Sequence, residues 1–163
     1  MCLKAFIWNS HSIKPKLSEL SLFTETNNID LIFLSETWLK ALEIFYLPLF
    51  DCYRADRMYG GTALLIRKAI PHKLNGKISL PFAEAVSVTI QDSIPFTVTS
   101  IYCSPAASNV QAESFFKSIL AAHGPHIVAG DFNAKHSNWN NSQNCSKGIK
   151  LAKLCSDFGF SAH

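Results

Sequence analysis

Four short apolar runs in this chain each end on a side chain that carries an oxygen or an amide, and that pattern limits the fold more than any other feature. His126-Ile127-Val128-Ala129 runs into Gly130-Asp131-Phe132-Asn133, and Asp30-Leu31-Ile32-Phe33-Leu34-Ser35 runs into Glu36-Thr37-Trp38. Phe96-Thr97-Val98-Thr99-Ser100-Ile101 ends in Tyr102, followed by Cys103-Ser104-Pro105, and Leu3-Lys4-Ala5-Phe6-Ile7-Trp8 ends in Asn9. Apolar runs of this length read as buried strands. Polar groups just past strand ends are where α/β sheets build their sites. Residues two apart on a strand face the same way, so Asp131 and Asn133 are expected to face one ligand while Phe132 turns into the core. Gly130 is expected to let that ligand approach the backbone. Such groups suit water, a hard cation and a phosphate.

The 163 residues are 48% hydrophobic, enough for one domain, taken as 1–163, with a substantial core. Fifteen basic against twelve acidic residues permit a polyanionic partner but fall far short of a dedicated nucleic-acid coat. Cys2, Cys52, Cys103, Cys145 and Cys155 include no Cys-x-x-Cys pair, which argues against zinc and a complete disulfide framework. With no long apolar leader and no membrane-length apolar run, the expectation is an intracellular chain without a membrane partner. Leu17, Leu20 and Phe23 predict a helix over 16–26 with Pro15 in its first turn, and further helices are predicted over 109–122 and about 147–157. Thr62 to Arg67 reads as a strand, as does the alternation of Val86, Val88 and Ile90. Residues 40–50 read as a short helix or a buried loop. The class is α/β.

Trp8-Asn9, Ser35-Glu36-Thr37-Trp38, Gly60-Gly61-Thr62-Ala63, Ile101-Tyr102-Cys103-Ser104-Pro105 and Gly130-Asp131-Phe132-Asn133, in that order, resemble the endonuclease/exonuclease/phosphatase superfamily. Ala134-Lys135-His136 and Trp139 add a resemblance to the endonuclease domain of insect-type non-long-terminal-repeat retrotransposons. The resemblance implies a four-layer α/β sandwich of two packed mixed β-sheets flanked by helices, and metal-dependent nicking of chromosomal DNA. It implies magnesium, with manganese as an alternative, held by Glu36 with Asn9 nearby. Tyr102 would bond the scissile phosphate or tune the neighbouring acid, Asp131 would orient and deprotonate the attacking water, and Asn133 would hold phosphate oxygens. Double-stranded DNA is the implied partner, a reverse transcriptase domain is expected downstream in the parent protein, and the nucleus is the expected place of action.

The same resemblance implies a later aspartate strand and a closing Ser-Asp-His. Ser161-Ala162-His163 lacks the acid and follows Gly130 too soon. The expectation is therefore a domain whose last strands are missing, covering roughly its first two-thirds to three-quarters, with at most trace nicking. His136 reads either as a DNA contact or as support for the Asp131 loop, and Trp139 as a groove stack or as packing beneath that loop. Arg57 and Lys135, with Arg54, Arg67 and Lys68, either flank the cleft and touch phosphates or form a solvated face. A repair-type abasic endonuclease, a phosphatase, and a non-catalytic DNA- or protein-binding remnant are the competing readings.

Overall fold

The computed structural model describes residues 2–162, so His163 of the terminal tripeptide lies outside the described residues. The strands are β1 (Ala5–Asn9), β2 (Leu31–Ser35), β3 (Phe50–Ala55), β4 (Thr62–Arg67), β5 (His72–Leu80), β6 (Ala83–Ile90), β7 (Phe96–Cys103) and β8 (His126–Asp131). The helices are α1 (Leu17–Asn27), α2 (Asn109–Leu120) and α3 (Ser146–Phe158). One sheet has the order β1-β2-β4-β3 and the other β5-β6-β7-β8, and both mix parallel with antiparallel pairs.

The pleat explains the layering. On β2, Leu31 and Phe33 join Leu64, Ile66, Val86, Val88, Ile90 and Val98 in the core between the sheets. Ile32 and Leu34 turn the other way and pack with Leu20 of α1, Ala63 and Leu65. A strand covered on both faces needs apolar residues at every position, and all of β2 is buried. Behind the second sheet, Ala85, Ile101 and Cys103 pack with Phe115, Phe116, Ile119 and Leu120 of α2 and with Leu151 and Leu154 of α3. A capping box between Ser108 and Gln111 starts α2. The result is helix, sheet, sheet, helices.

Two strands were not legible in the periodicity. Both β3 and β5 lie at sheet edges. An edge strand has fewer neighbours and tolerates polar residues, so Asp51, Arg54, Lys73, Asn75 and Lys77 mask the period-2 signal, and β5 also carries an irregularity between Leu74 and Gly76. Residues 40–49 are neither helix nor buried loop. Leu42 is 97% and Ile44 91% exposed, with Leu47 turned inward. Pro15 lies in a short 3-10 turn, Lys14–Lys16, ahead of α1 rather than inside it. Among the described residues no helix is long and apolar enough to cross a membrane.

Candidate active site

The parallel pairs deliver the site. In the first sheet β1 and β2 run together with Asn9 beside Ser35, so Asn9 and Glu36 leave at one end. In the second, β7 and β8 run together with Tyr102 beside Asp131. Polar bonds across the inter-sheet space bring these ends together. Asn9 donates through Nδ2 to Asp131 Oδ2 at 3.0 Å. The Asp131 amide donates to Ser35 Oγ at 3.0 Å, and Ser35 Oγ donates to the Ile101 carbonyl at 3.1 Å. Beneath them, Thr62 Oγ1 and Ser100 Oγ share a 2.8 Å bond. The core thus changes from apolar to hydroxyl-lined where the two sheets meet the site.

Burial pushes the Asp131 carboxyl above the ordinary aspartate range, and the Glu36 charge pushes it the same way against hydrogen bonds from Asn133 and Asn9. Burial raises the Tyr102 phenol too, helped by the charges of Glu36 and Asp131. The Glu36 charge thus acts on both Asp131 and Tyr102. Asn133 joins Asp131 by a turn and not by strand alternation: β8 stops at Asp131, and Asn133 has φ +46°. Its amide N–H donates to Asp131 Oδ1 at 2.9 Å, while its side-chain Nδ2 donates to the Cys103 carbonyl at 2.9 Å. Gly130 serves a neighbour and not a ligand, because a Cβ there would lie 2.1 Å from the Ile101 carbonyl oxygen.

The donors suit a hard divalent cation. Glu36 supplies a carboxylate and Asn9 an amide oxygen, and magnesium characteristically keeps several waters and needs only one or two protein carboxylates. Among the described residues no group of three or more His, Cys, Asp or Glu side chains has metal-holding geometry.

A family model described as the endonuclease/exonuclease/phosphatase family matches residues 7–161, a span that contains every residue placed above. The chain belongs to the endonuclease/exonuclease/phosphatase family. It is 31% identical over 158 residues to the RNA-directed DNA polymerase from mobile element jockey of Drosophila melanogaster, covering 93% of this chain and 17% of that protein. It is 32% identical over 161 residues to the probable RNA-directed DNA polymerase from transposon X-element of the same organism, covering 94% and 18%. The chain thus spans less than a fifth of the length of these relatives. Among solved structures, the endonuclease domain of TRAS1, a telomere-specific non-LTR retrotransposon, matches with TM-score 0.79 and 16% identity over 97% of this chain and 71% of that one. The AP endonuclease LMAP from Leishmania major matches with TM-score 0.69 and 13% identity over 96% and 66%. At these identities the likeness is one of fold.

Within this family fold, the remaining candidates separate by position. Arg57 lies at the site, paired with buried Glu84 at 3.4 Å. Arg67 and Lys68 do not flank it: β4 is antiparallel to β2, so Arg67 sits at the far end, where it binds Asp30 and the Ile29 carbonyl. Arg54 turns to Asp56 and to the carbonyls of the 40–43 loop. Trp139 packs against the helical layer and donates through Nε1 to the Ala134 carbonyl at 2.8 Å. His136 Nδ1 accepts from the Asn138 amide, and the two rings lie 5.0 Å apart. Lys135 is exposed, with its backbone bonded to Cys145. Burial pushes the Cys103 thiol up to about 11, which leaves it a poor nucleophile.

Sequence reasoning missed Glu84 and His11. Glu84 lies on the same face of β6 as Val86, Val88 and Ile90, directly opposite Tyr102, and is 1% exposed. A charge at an inward position of an alternating strand was the available signal. It is held by Arg57 and by the Gly61 amide, while burial raises its carboxyl. His11 meets Glu36 Oε2 through Nδ1 at 3.0 Å, and only the fold reveals that contact.

Proposed function

We propose that this chain is the DNA-nicking endonuclease part of a non-LTR retrotransposon protein, a metal-dependent phosphodiester hydrolase acting on double-stranded DNA. The observation that carries the reading is the meeting of Asn9, Glu36, Tyr102, Asp131 and Asn133 from four strand ends and two sheets. Relatives named as RNA-directed DNA polymerases of mobile elements support a reverse transcriptase domain downstream in the parent protein, and in this reading the chain acts on chromosomal DNA in the nucleus.

In this reading Asp131 accepts the proton of the attacking water. Its raised carboxyl is a stronger base than an exposed aspartate, and the Asn133 amide and Asn9 fix its two oxygens. The Tyr102 phenol, kept protonated by its surroundings, donates to a phosphate oxygen. Asn133 positions the phosphate from the same turn, and Arg57 offers cationic charge at the rim. Glu36 and Asn9 would hold magnesium or manganese, which when bound supplies positive charge to the phosphate oxygens.

The test is conversion of supercoiled plasmid to relaxed circles with the chain in excess and magnesium or manganese present. Slow, metal-dependent nicking is expected, lowered about 100-fold or more by Glu36→Gln. Nicking that survives Glu36→Gln unchanged, or that needs no metal, contradicts the reading. Cleavage confined to abasic oligonucleotides would favour the repair-type alternative, and hydrolysis of soluble phosphoesters alone would favour a phosphatase.

A further inference from the structure

Beside Glu36, three loops each place an aromatic ring: His11 after β1, Trp38 after β2 and Tyr59 before β4. The His11 and Trp38 rings lie 4.3 Å apart, and Trp38 and Tyr59 meet edge-to-face at 5.4 Å. The ledge opens to solvent. Tyr59 is 70% exposed, its neighbour Met58 is 63% exposed, and the His11 side chain is 69% exposed.

The ledge is held in place against its own local preferences. All three residues have left-handed backbones, with φ of +43° at His11, +53° at Trp38 and +56° at Tyr59. Bulky side chains rarely adopt that region, so each of the three is strained. Thr37 Oγ1 and Trp38 Nε1 are also buried without a partner among the described residues. Backbone bonds between loops enforce the geometry: Ser12 N to the Glu36 carbonyl at 3.0 Å, Ile13 N to the Thr37 carbonyl at 3.2 Å, and Trp38 N to the Gly60 carbonyl at 3.0 Å. The strain is concentrated at a surface whose His11 and Tyr59 rings are exposed.

The position of the ledge identifies what would occupy it. His11 contacts Glu36 directly, and the loop bearing Tyr59 lies on Tyr102, since a Cβ on Gly60 would sit 2.9 Å from the Tyr102 ring and 3.0 Å from the Arg57 side chain. A strand whose phosphate sits at Tyr102 and Asp131, with Arg57 at the rim, brings its neighbouring nucleotide over Tyr59. Base pairs in a stacked duplex bury their π-faces against each other, so only an unstacked base can use the ring. We propose that the His11–Trp38–Tyr59 ledge stacks an unpaired nucleobase adjacent to the scissile phosphate, making locally opened DNA the preferred substrate. This rests on the phosphodiesterase reading above and adds the state of the DNA that the site takes.

Fluorescence anisotropy in EDTA tests it, using a labelled matched duplex and the same duplex with a central three-nucleotide mismatch bubble. The bubble is expected to bind about tenfold more tightly, within what one stacked base supplies. Tyr59→Ala removes most of that preference while changing matched-duplex affinity by less than about twofold, and Tyr59→Phe keeps it. Equal binding of bubble and duplex by the wild type, a preference that survives Tyr59→Ala, or no DNA binding at all overturns the ledge. The metal-dependent plasmid assay is separate: nicking without bubble preference defeats only the ledge, and bubble preference without nicking defeats only the phosphodiesterase reading.

Discussion

Gly130→Ala should cost at least about 3 kcal/mol of folding stability, an effect visible as a loss of cooperative melting or a large fall in Tm. Two independent penalties meet at this position. The residue has φ +137°, a conformation that side chains rarely adopt, and its missing Cβ would lie 2.1 Å from the Ile101 carbonyl oxygen and 2.9 Å from the Ile101 nitrogen. Those contacts are backbone within the β7–β8 pair, where Gly130 faces Ile101, so no rotamer change relieves them. The neighbouring strand would have to shift, and it carries Tyr102. Near-wild-type melting of the alanine variant, measured by circular dichroism, would show that β8 approaches β7 less closely than described. Gly76, which has open space around it, should tolerate alanine far better.

Asp131→Asn should separate function from stability in opposite directions. In the proposed mechanism the asparagine cannot take a proton, so nicking falls about 100-fold to 10,000-fold. Stability should rise, with Tm moving up by a few degrees near neutral pH. The ionised Asp131 is partly buried and feels the Glu36 charge, whereas asparagine can still accept from the Asn133 amide and, with the Asn9 amide turned over, donate to its oxygen. Linkage gives the pH sign. A carboxyl whose folded pKa is raised contributes stability that is fully present below the unfolded pKa and lost as pH rises through the folded one. The advantage of Asp131→Asn over wild type therefore grows across that window. In the metal-free chain, a carbon NMR titration should place the Asp131 midpoint above the ordinary aspartate range, and Glu36→Gln should bring it part of the way down. A variant that is both inactive and less stable would assign Asp131 to structure.

What the sequence revealed and what it hid have physical causes. The two-faced burial of β2 and the alternation in β6 are strong signals because each face meets its own apolar layer. The strand ends carrying Asn9, Glu36, Tyr102 and Asp131 were legible because each largely apolar run stops at a side chain with an oxygen or an amide, although β1 and β8 are edge strands that leave Ile7 and Ile127 exposed. The edge strands β3 and β5 were hidden by their polar residues. The pairing of Glu84 with Arg57 and the contact of His11 with Glu36 depend on loops folding back over 27 and 25 residues, distances over which local pattern carries no information. The need for glycine at position 130 comes from the neighbouring strand, where the sequence alone suggests a ligand.

The central claim is that separate strand ends form one cation site, and manganese-induced broadening in an amide NMR spectrum tests it most directly. Substoichiometric Mn2+ should selectively erase the signals of Asn9, Glu36, Tyr102, Asp131 and Asn133 together. Thr97 and His126, about 17 Å back along β7 and β8 by strand rise, should be much less affected, and Glu36→Gln should abolish the effect. Broadening centred elsewhere, or no saturable broadening of these residues as a group, would contradict the account.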